Sequence, residues 1–255
     1  MERPEIEQLK RYLNEGIHSV GGWCNPHLWQ ALWPLRPMIG AGPIAEIGVF
    51  EGKFFAGLAQ TFRRSGPPDL AIDVFDMQEF NIDNAGVGKK QVFLDNVEKH
   101  SGTKPVIWHR DSLTLNDMDV QEVWREFDGF ACFSVDGCHT VEHTVNDLQF
   151  AMRTTRPGGV IILDDYTNAN WPGVAEAVAR MYILGSPSML PLAVTCNKLF
   201  LCSYSVHDTY LKAIWEYNKG LEHRPNVKVV KRFGFDTLTL QPRLNQPVEI
   251  RDPEG

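Results

Sequence analysis

From Pro43 onward the apolar positions keep two alternating rhythms. Short continuous apolar runs at Ile44–Gly48, Leu70–Val74, Pro105–His109, Gly129–Asp136, Gly159–Leu163, Leu192–Thr195 and Leu199–Ser203 read as strands. Between them apolar residues recur at helical spacing near 53–64, 89–100, 117–127, 140–154 and 173–184. Such alternation predicts an α/β fold with a mostly parallel, doubly wound sheet. Only Cys196-Asn197-Lys198 separates the last two runs, too little for a crossover, so they close a seven-stranded sheet as an antiparallel hairpin. Ahead of this unit, Ile6, Leu9 and Leu13 mark a helix over 4–16 with Gly16 as its stop. The segment GGWCNPHLWQALWPLRPM follows, with Trp23, Trp29 and Trp33 close together. It suits a cap on the sheet or a contact in a homo-oligomer, with a pocket lid as the functional alternative. Beyond residue 205 the pattern gives a helix over 207–219, one strand around Val227–Leu240, and a polar, proline-bearing tail from Gln241 expected to fray. The chain thus divides into a Trp-rich extension (1–40), a main domain (41–205) and an appendage (206–255).

Composition narrows the class. A hydrophobic fraction of 43% and a charged fraction of 22% are those of a soluble globular protein, and 255 residues suffice for one large domain with extensions. Thirty-two acidic against 25 basic residues, a net charge of −7, argue against a nucleic-acid or anionic-membrane partner. No apolar run approaches a membrane span, and MERPEIEQLK is charged where a secretory signal is apolar. Five cysteines without a CxxC pair read as free thiols in a reducing cytoplasm rather than as a zinc site.

Candidate chemistry lies at the carboxyl ends of the strands, where open α/β sheets bind ligands. The stretch PIAEIGVFEGKF is a strand, a glycine turn and a helix start, with Glu46, Gly48 and Gly52 in an E-x-G-x-x-x-G pattern. Asp73 ends the second strand, 21 residues beyond Gly52, where an acid would meet a ribose hydroxyl. Asp111-Ser112, Asp136 and Asp164-Asp165 follow the third, fourth and fifth strands. A row of acids also suits helix N-caps. Asp136, Asp164 and Asp165, however, converge from neighbouring strand ends and repel unless a cation sits among them, and all-oxygen ligation suits Mg²⁺ or Mn²⁺. His139, three residues past Asp136, is placed to take a proton from a hydroxyl beside such an ion, with His143 one helical turn further on as support.

Together, E-x-G-x-x-x-G, Asp73, Asp111, V-D-G-x-H and P-G-G-V-I-I-L-D-D-Y resemble class I S-adenosylmethionine-dependent methyltransferases. Within these the sequence is most similar to the metal-dependent O-methyltransferases acting on sugars of macrolides and related natural products, over roughly residues 40–205. The resemblance implies a Rossmann-like sheet, S-adenosylmethionine and Mg²⁺ as cofactors, and a small-molecule hydroxyl as acceptor. It implies that Glu46, Gly48 and Gly52 hold the methionine part of the cofactor, Asp73 its ribose, and Asp111 with Ser112 its adenine. Asp136, Asp164 and Asp165 become the metal carboxylates and His139 the base. Related sequences commonly carry a small hydroxyl residue after the last glycine; here Lys53-Phe54 stands there, which leaves open what meets the cofactor carboxylate. Two rivals use the same architecture: a nicotinamide-dependent oxidoreductase, disfavoured by the irregular glycine motif and the absence of a Tyr-x-x-x-Lys pair, and a cofactor-binding partner protein without turnover. A nucleic-acid methyltransferase is disfavoured by the acidic balance.

Overall fold

The computed structural model describes residues 4–62, 65–82, 84 and 86–252. Its strands are β1 (Ile44–Ile47), β2 (Leu70–Asp73), β3 (Val106–His109), β4 (Phe130–Val135), β5 (Thr155–Leu163), β6 (Met189–Thr195), β7 (Lys198–Ser203), β8 (Asn226–Arg232) and β9 (Phe235–Gln241). Its helices are α1 (Pro4–Asn14), α2 (Trp29–Leu32), α3 (Arg36–Ile39), α4 (Lys53–Thr61), α5 (Lys90–Ser101), α6 (Asp117–Phe127), α7 (Val141–Thr154), α8 (Pro172–Leu184) and α9 (His207–Lys219). The strands form one sheet in the order β3-β2-β1-β4-β5-β7-β6-β9-β8. β1 to β5 run parallel, and β7 pairs antiparallel with β5. The sheet reverses its winding between β1 and β4, which opens a crevice at their carboxyl ends.

Both faces of the central strands are covered, as continuous apolar runs require. On one face Ile44, Cys132 and Ile162 pack with Leu9, Trp29, Phe55 and Phe93; on the other Ile47, Phe133 and Ile161 pack with Val123, Leu148 and Val178.

Among the described residues the sheet has nine strands where seven were expected. The apolar run around Val227–Leu240 is a hairpin, not one strand, because Phe233 and Gly234 both take positive φ (49° and 88°) in a two-residue turn between Arg232 and Phe235. β9 then adds in parallel to β6 and extends the sheet. The tail expected to fray is instead fastened. Val248 and Ile250 are buried, Val248 exchanges hydrogen bonds with the Asn14 side chain (N–H to Oδ1 2.8 Å, Nδ2 to carbonyl 3.2 Å), and the Trp33 indole donates to the Arg251 carbonyl at 2.7 Å. Of the tryptophans, Trp29 and Trp33 are core residues, while Trp23 is exposed and sits 6.0 Å from Phe50 at the mouth of the crevice. The helix expected over 53–64 ends at Thr61; positions 63 and 64, like the first three and last three residues, lie outside the described residues. None of the five cysteines, all among the described residues, is in a disulfide, and no described helix is long and apolar enough to cross a membrane.

Candidate active site

A cavity of about 630 Å³ opens at the carboxyl ends of β1, β2, β4 and β5, a size suited to a small-molecule site. The turn after β1 approaches the β4 end so closely that a Cβ on Gly48 (φ 79°) would lie 1.9 Å from the Asp136 carbonyl oxygen. Only glycine permits both that approach and that φ. Gly52 caps α4 in the left-handed conformation with its α-carbon side filled by Phe93 and Val97. Asp73 braces this turn: its Oδ2 accepts the Phe50 N–H at 3.0 Å and its Oδ1 the Phe75 N–H at 2.6 Å. Glu46 is 1% exposed in the cavity wall. Its Oε1 accepts the Ser134 hydroxyl at 2.9 Å, whereas Oε2 has no donor among the described residues. Burial pushes this carboxyl up to about 8, against the pull of the Lys198 ammonium.

On the far side, Asp111 caps a helical turn through Leu113 N–H (3.0 Å) and Ser112 is buried beside it. His143, expected to support His139, instead faces Asp111: its Nε2 lies 3.3 Å from Asp111 Oδ1 and its backbone N–H donates to the Thr140 hydroxyl. α7 turns it toward the end of β3, so it orients Asp111. Beneath them lies Asp147, fully buried; burial pushes its carboxyl up to about 8, outweighing the neighbouring Ser112 hydroxyl, which lowers it.

The acids after β4 and β5 converge as expected but divide into two groups. Asp136 N–H bonds to Ile47 O and Asp164 N–H to Val135 O, each at 2.9 Å, which fixes both at the strand ends. Burial, with Asp164 close by, holds the Asp136 carboxyl well above the usual range even though Lys198 opposes it. Asp164 is ion-paired with the buried ammonium of Lys198, whose Nζ also lies 3.9 Å from Asp136 Oδ2 and 4.6 Å from the centre of the Phe54 ring. Asp165, at φ 54°, turns the other way. Its Oδ2 lies 2.9 Å from His139 Nε2, and its Oδ1 accepts Asn168 Nδ2 at 2.8 Å and Asn197 Nδ2 at 2.6 Å. Burial raises the Asp165 carboxyl, but the bonds from His139 and Asn168 outweigh it and leave it below its ordinary value. The His139 ring stacks on Trp171, centroids 4.3 Å apart. Asp136, His139 and Asp165 each offer a ligand atom within 4.8 Å of the others, a spacing compatible with one metal ion.

Ser134, Trp171, Asn197 and Lys198 escaped the sequence reading. The last two had a signal: a two-residue turn joins β6 to β7, and β7 pairs with β5, so its residues must face the Asp164-Asp165 loop. Asn197 accepts the Thr167 N–H through Oδ1 (3.1 Å) and the Tyr166 N–H through its carbonyl (3.0 Å), buttressing that loop.

A parallel sheet that switches at β1/β4, a glycine turn under a buried acid and a carboxylate cluster at the strand ends are the features of a nucleotide-type ligand site. Residues 45–166 match the family described as "Methyltransferase domain". In structure the chain is similar to the O-methyltransferase NovP, at 12% identity and a TM-score of 0.56, covering 78% of this chain and 97% of that one. It is also similar to MycE methyltransferase from the mycinamycin biosynthetic pathway in complex with Mg and SAH (17% identity, TM-score 0.49, 79% and 55%). A third similar structure is an O-methyltransferase from Bacillus cereus in complex with SAH (16% identity, TM-score 0.46, 79% and 90%). Comparison with curated protein sequences finds no match.

Proposed function

We propose that the chain moves a methyl group from S-adenosylmethionine to a hydroxyl of a small molecule, a sugar or glycosylated natural product, in the cytoplasm. The observation that carries this reading is the pairing of His139 with Asp165 beside Asp136, on the rim of a cavity whose wall holds the orphaned Glu46 oxygen. S-adenosylmethionine, when bound, supplies an electrophilic methyl on sulfonium. Glu46 Oε2 fits its amino group, since a buried acceptor without a donor is completed by an ammonium. Gly48 and Gly52 would let the backbone approach it, Asp73 would hold the ribose, and Asp111 with Ser112 would meet the adenine; Gly48, Asp73, Asp111 and Ser112 all line the cavity. The donor set of Asp136 and Asp165 fits Mg²⁺ or Mn²⁺, which supplies orientation and acidification of the acceptor hydroxyl.

The remaining chemistry belongs to the chain. His139 takes the acceptor proton as general base; Asp165 fixes its ring orientation and favours the imidazolium that forms. Trp171 holds the ring from its face. Trp23 over Phe50 covers the mouth and bears on acceptor choice.

The test is twofold. S-adenosylmethionine at about 100 times its Kd should add about 2.7 kcal/mol, a rise in melting temperature on the order of 5–10 °C for a chain of this size, with none from NADH; no rise overturns the cofactor reading. His139→Ala should lower kcat by roughly 10²–10⁴-fold, and Asp136→Asn should abolish turnover while cofactor binding survives. A near-normal rate for His139→Ala removes it as the base. Full activity in excess chelator removes the metal.

A further inference from the structure

The acidic cluster already contains a cation. The Lys198 side chain is 2% exposed, its ammonium is ion-paired with Asp164, and Asp136 Oδ2 lies 3.9 Å away. A buried ammonium is held only where carboxylates compensate its lost hydration, and the Phe54 ring beneath it (4.6 Å) adds the attraction of its face. The position is not left to a flexible stem alone. Lys198 opens β7 opposite Thr195, and the adjoining Asn197 is bonded into the loop that carries Asp165. The hairpin therefore inserts an ammonium from the side while the strand ends supply the acids. Phe54 and Lys198 also belong together: the aromatic residue that stands after the glycine turn is the platform on which the ammonium rests.

A divalent ion and an ammonium that both need Asp164 compete for it. We propose that Lys198 is the resident counter-ion of this cluster, withholding Asp164 from the metal, so that a divalent ion is held through Asp136 and Asp165 and its affinity is set by Lys198. This rests on the metal-assisted reading above and specifies it. Of the three carboxylates expected to share the ion, one is engaged inside the protein, and the two that remain lie with His139 within 4.8 Å of each other. Lys198 is here a positioning residue, acting on the metal through Asp164 and Asp136.

Mn²⁺ binding to the full chain, followed by loss of the free-ion paramagnetic resonance signal, separates the cases, with S-adenosylmethionine binding by calorimetry as the check on folding. Asp165→Asn should weaken Mn²⁺ at least about 10-fold by removing a ligand, and Asp164→Asn should weaken it clearly less, through the ammonium turning toward Asp136 rather than through a lost ligand. Lys198→Met should tighten Mn²⁺ about 10-fold by freeing Asp164, and Lys198→Met with Asp164→Asn should return it to the unsubstituted level, a recovery that mere structural damage does not produce. If Lys198→Met does not fold, the Asp164→Asn and Asp165→Asn pair decides alone. An Asp164→Asn deficit as large as that of Asp165→Asn overturns the inference and leaves the metal reading intact. Mn²⁺ binding by none of the proteins, with S-adenosylmethionine still bound, overturns the metal reading and this inference with it.

Discussion

At the scale of single residues the site is a set of buried acids in different states. Asp165 is held ionised by donors, whereas for Asp147, on the Asp111 side beneath Gly137, burial outweighs the Ser112 hydroxyl. An acid raised from 3.8 to about 8 keeps its proton in the folded chain after the unfolded chain has lost it. Between about pH 4 and 8 the folded state therefore binds more protons, and stability falls as pH rises, by up to about 1.4 kcal/mol per pH unit from this group. Asp147→Asn should be close to neutral near pH 4 and increasingly stabilising toward pH 8, measured by urea unfolding at both; an unchanged pH slope would mean that Asp147 ionises in the fold. The acids that bear on chemistry were legible in the chain because D-G-x-H and D-D-Y follow recognisable strands. Lys198 was not, because a lysine in a short hairpin ordinarily reads as solvated, and only the pairing of β7 with β5 buries it.

At the scale of elements, the β6–β7 hairpin does two things: it closes the sheet and it shapes the acid loop. Its turn residues Cys196 and Asn197 have φ of 49° and 71°, the left-handed pair that a two-residue hairpin of this hand requires. Asn tolerates that conformation, and its amide then meets Asp165 and Thr167. Asn197→Gly keeps the backbone freedom and removes the amide. We expect little change in melting temperature or in S-adenosylmethionine affinity, with kcat lowered roughly 10- to 100-fold by displacement of Asp165 and His139. An unaltered kcat would mean that the Asp164-Asp165 loop holds its shape without the hairpin. The parallel strands fell close to their apolar runs because both of their faces are buried, which leaves little else the pattern can mean. The 226–241 hairpin merged into one strand in the sequence because Phe233-Gly234 lacks the Asn-Gly or Asp-Gly signature of its turn.

At the scale of the whole molecule, the two terminal regions meet on the face of the sheet that carries α4 and α9, and no local pattern announces a contact between positions more than 200 apart. Asn14 and Val248 exchange two hydrogen bonds, the His27 ring lies 3.0 Å from the Gln246 carbonyl, and Val248 and Ile250 complete the core that holds Leu13, Trp29 and Trp33. The polar residues of 241–247 disguise this in the sequence, because only two apolar side chains in the segment enter the core. If the tail is a strap, Ile250→Ala should cost about 2–5 kcal/mol through the lost side chain and the cavity left behind. At roughly 2–4 °C per kcal/mol that is a fall in melting temperature on the order of 5–15 °C. The same substitution in a frayed tail would cost under about 0.5 kcal/mol. Because Ile250 lies away from the cavity, the folded variant should bind S-adenosylmethionine with unchanged affinity, so calorimetry beside the thermal melt distinguishes a loosened strap from a damaged site. A melting temperature within a degree of the parent would overturn the strap and return the segment to a passive tail.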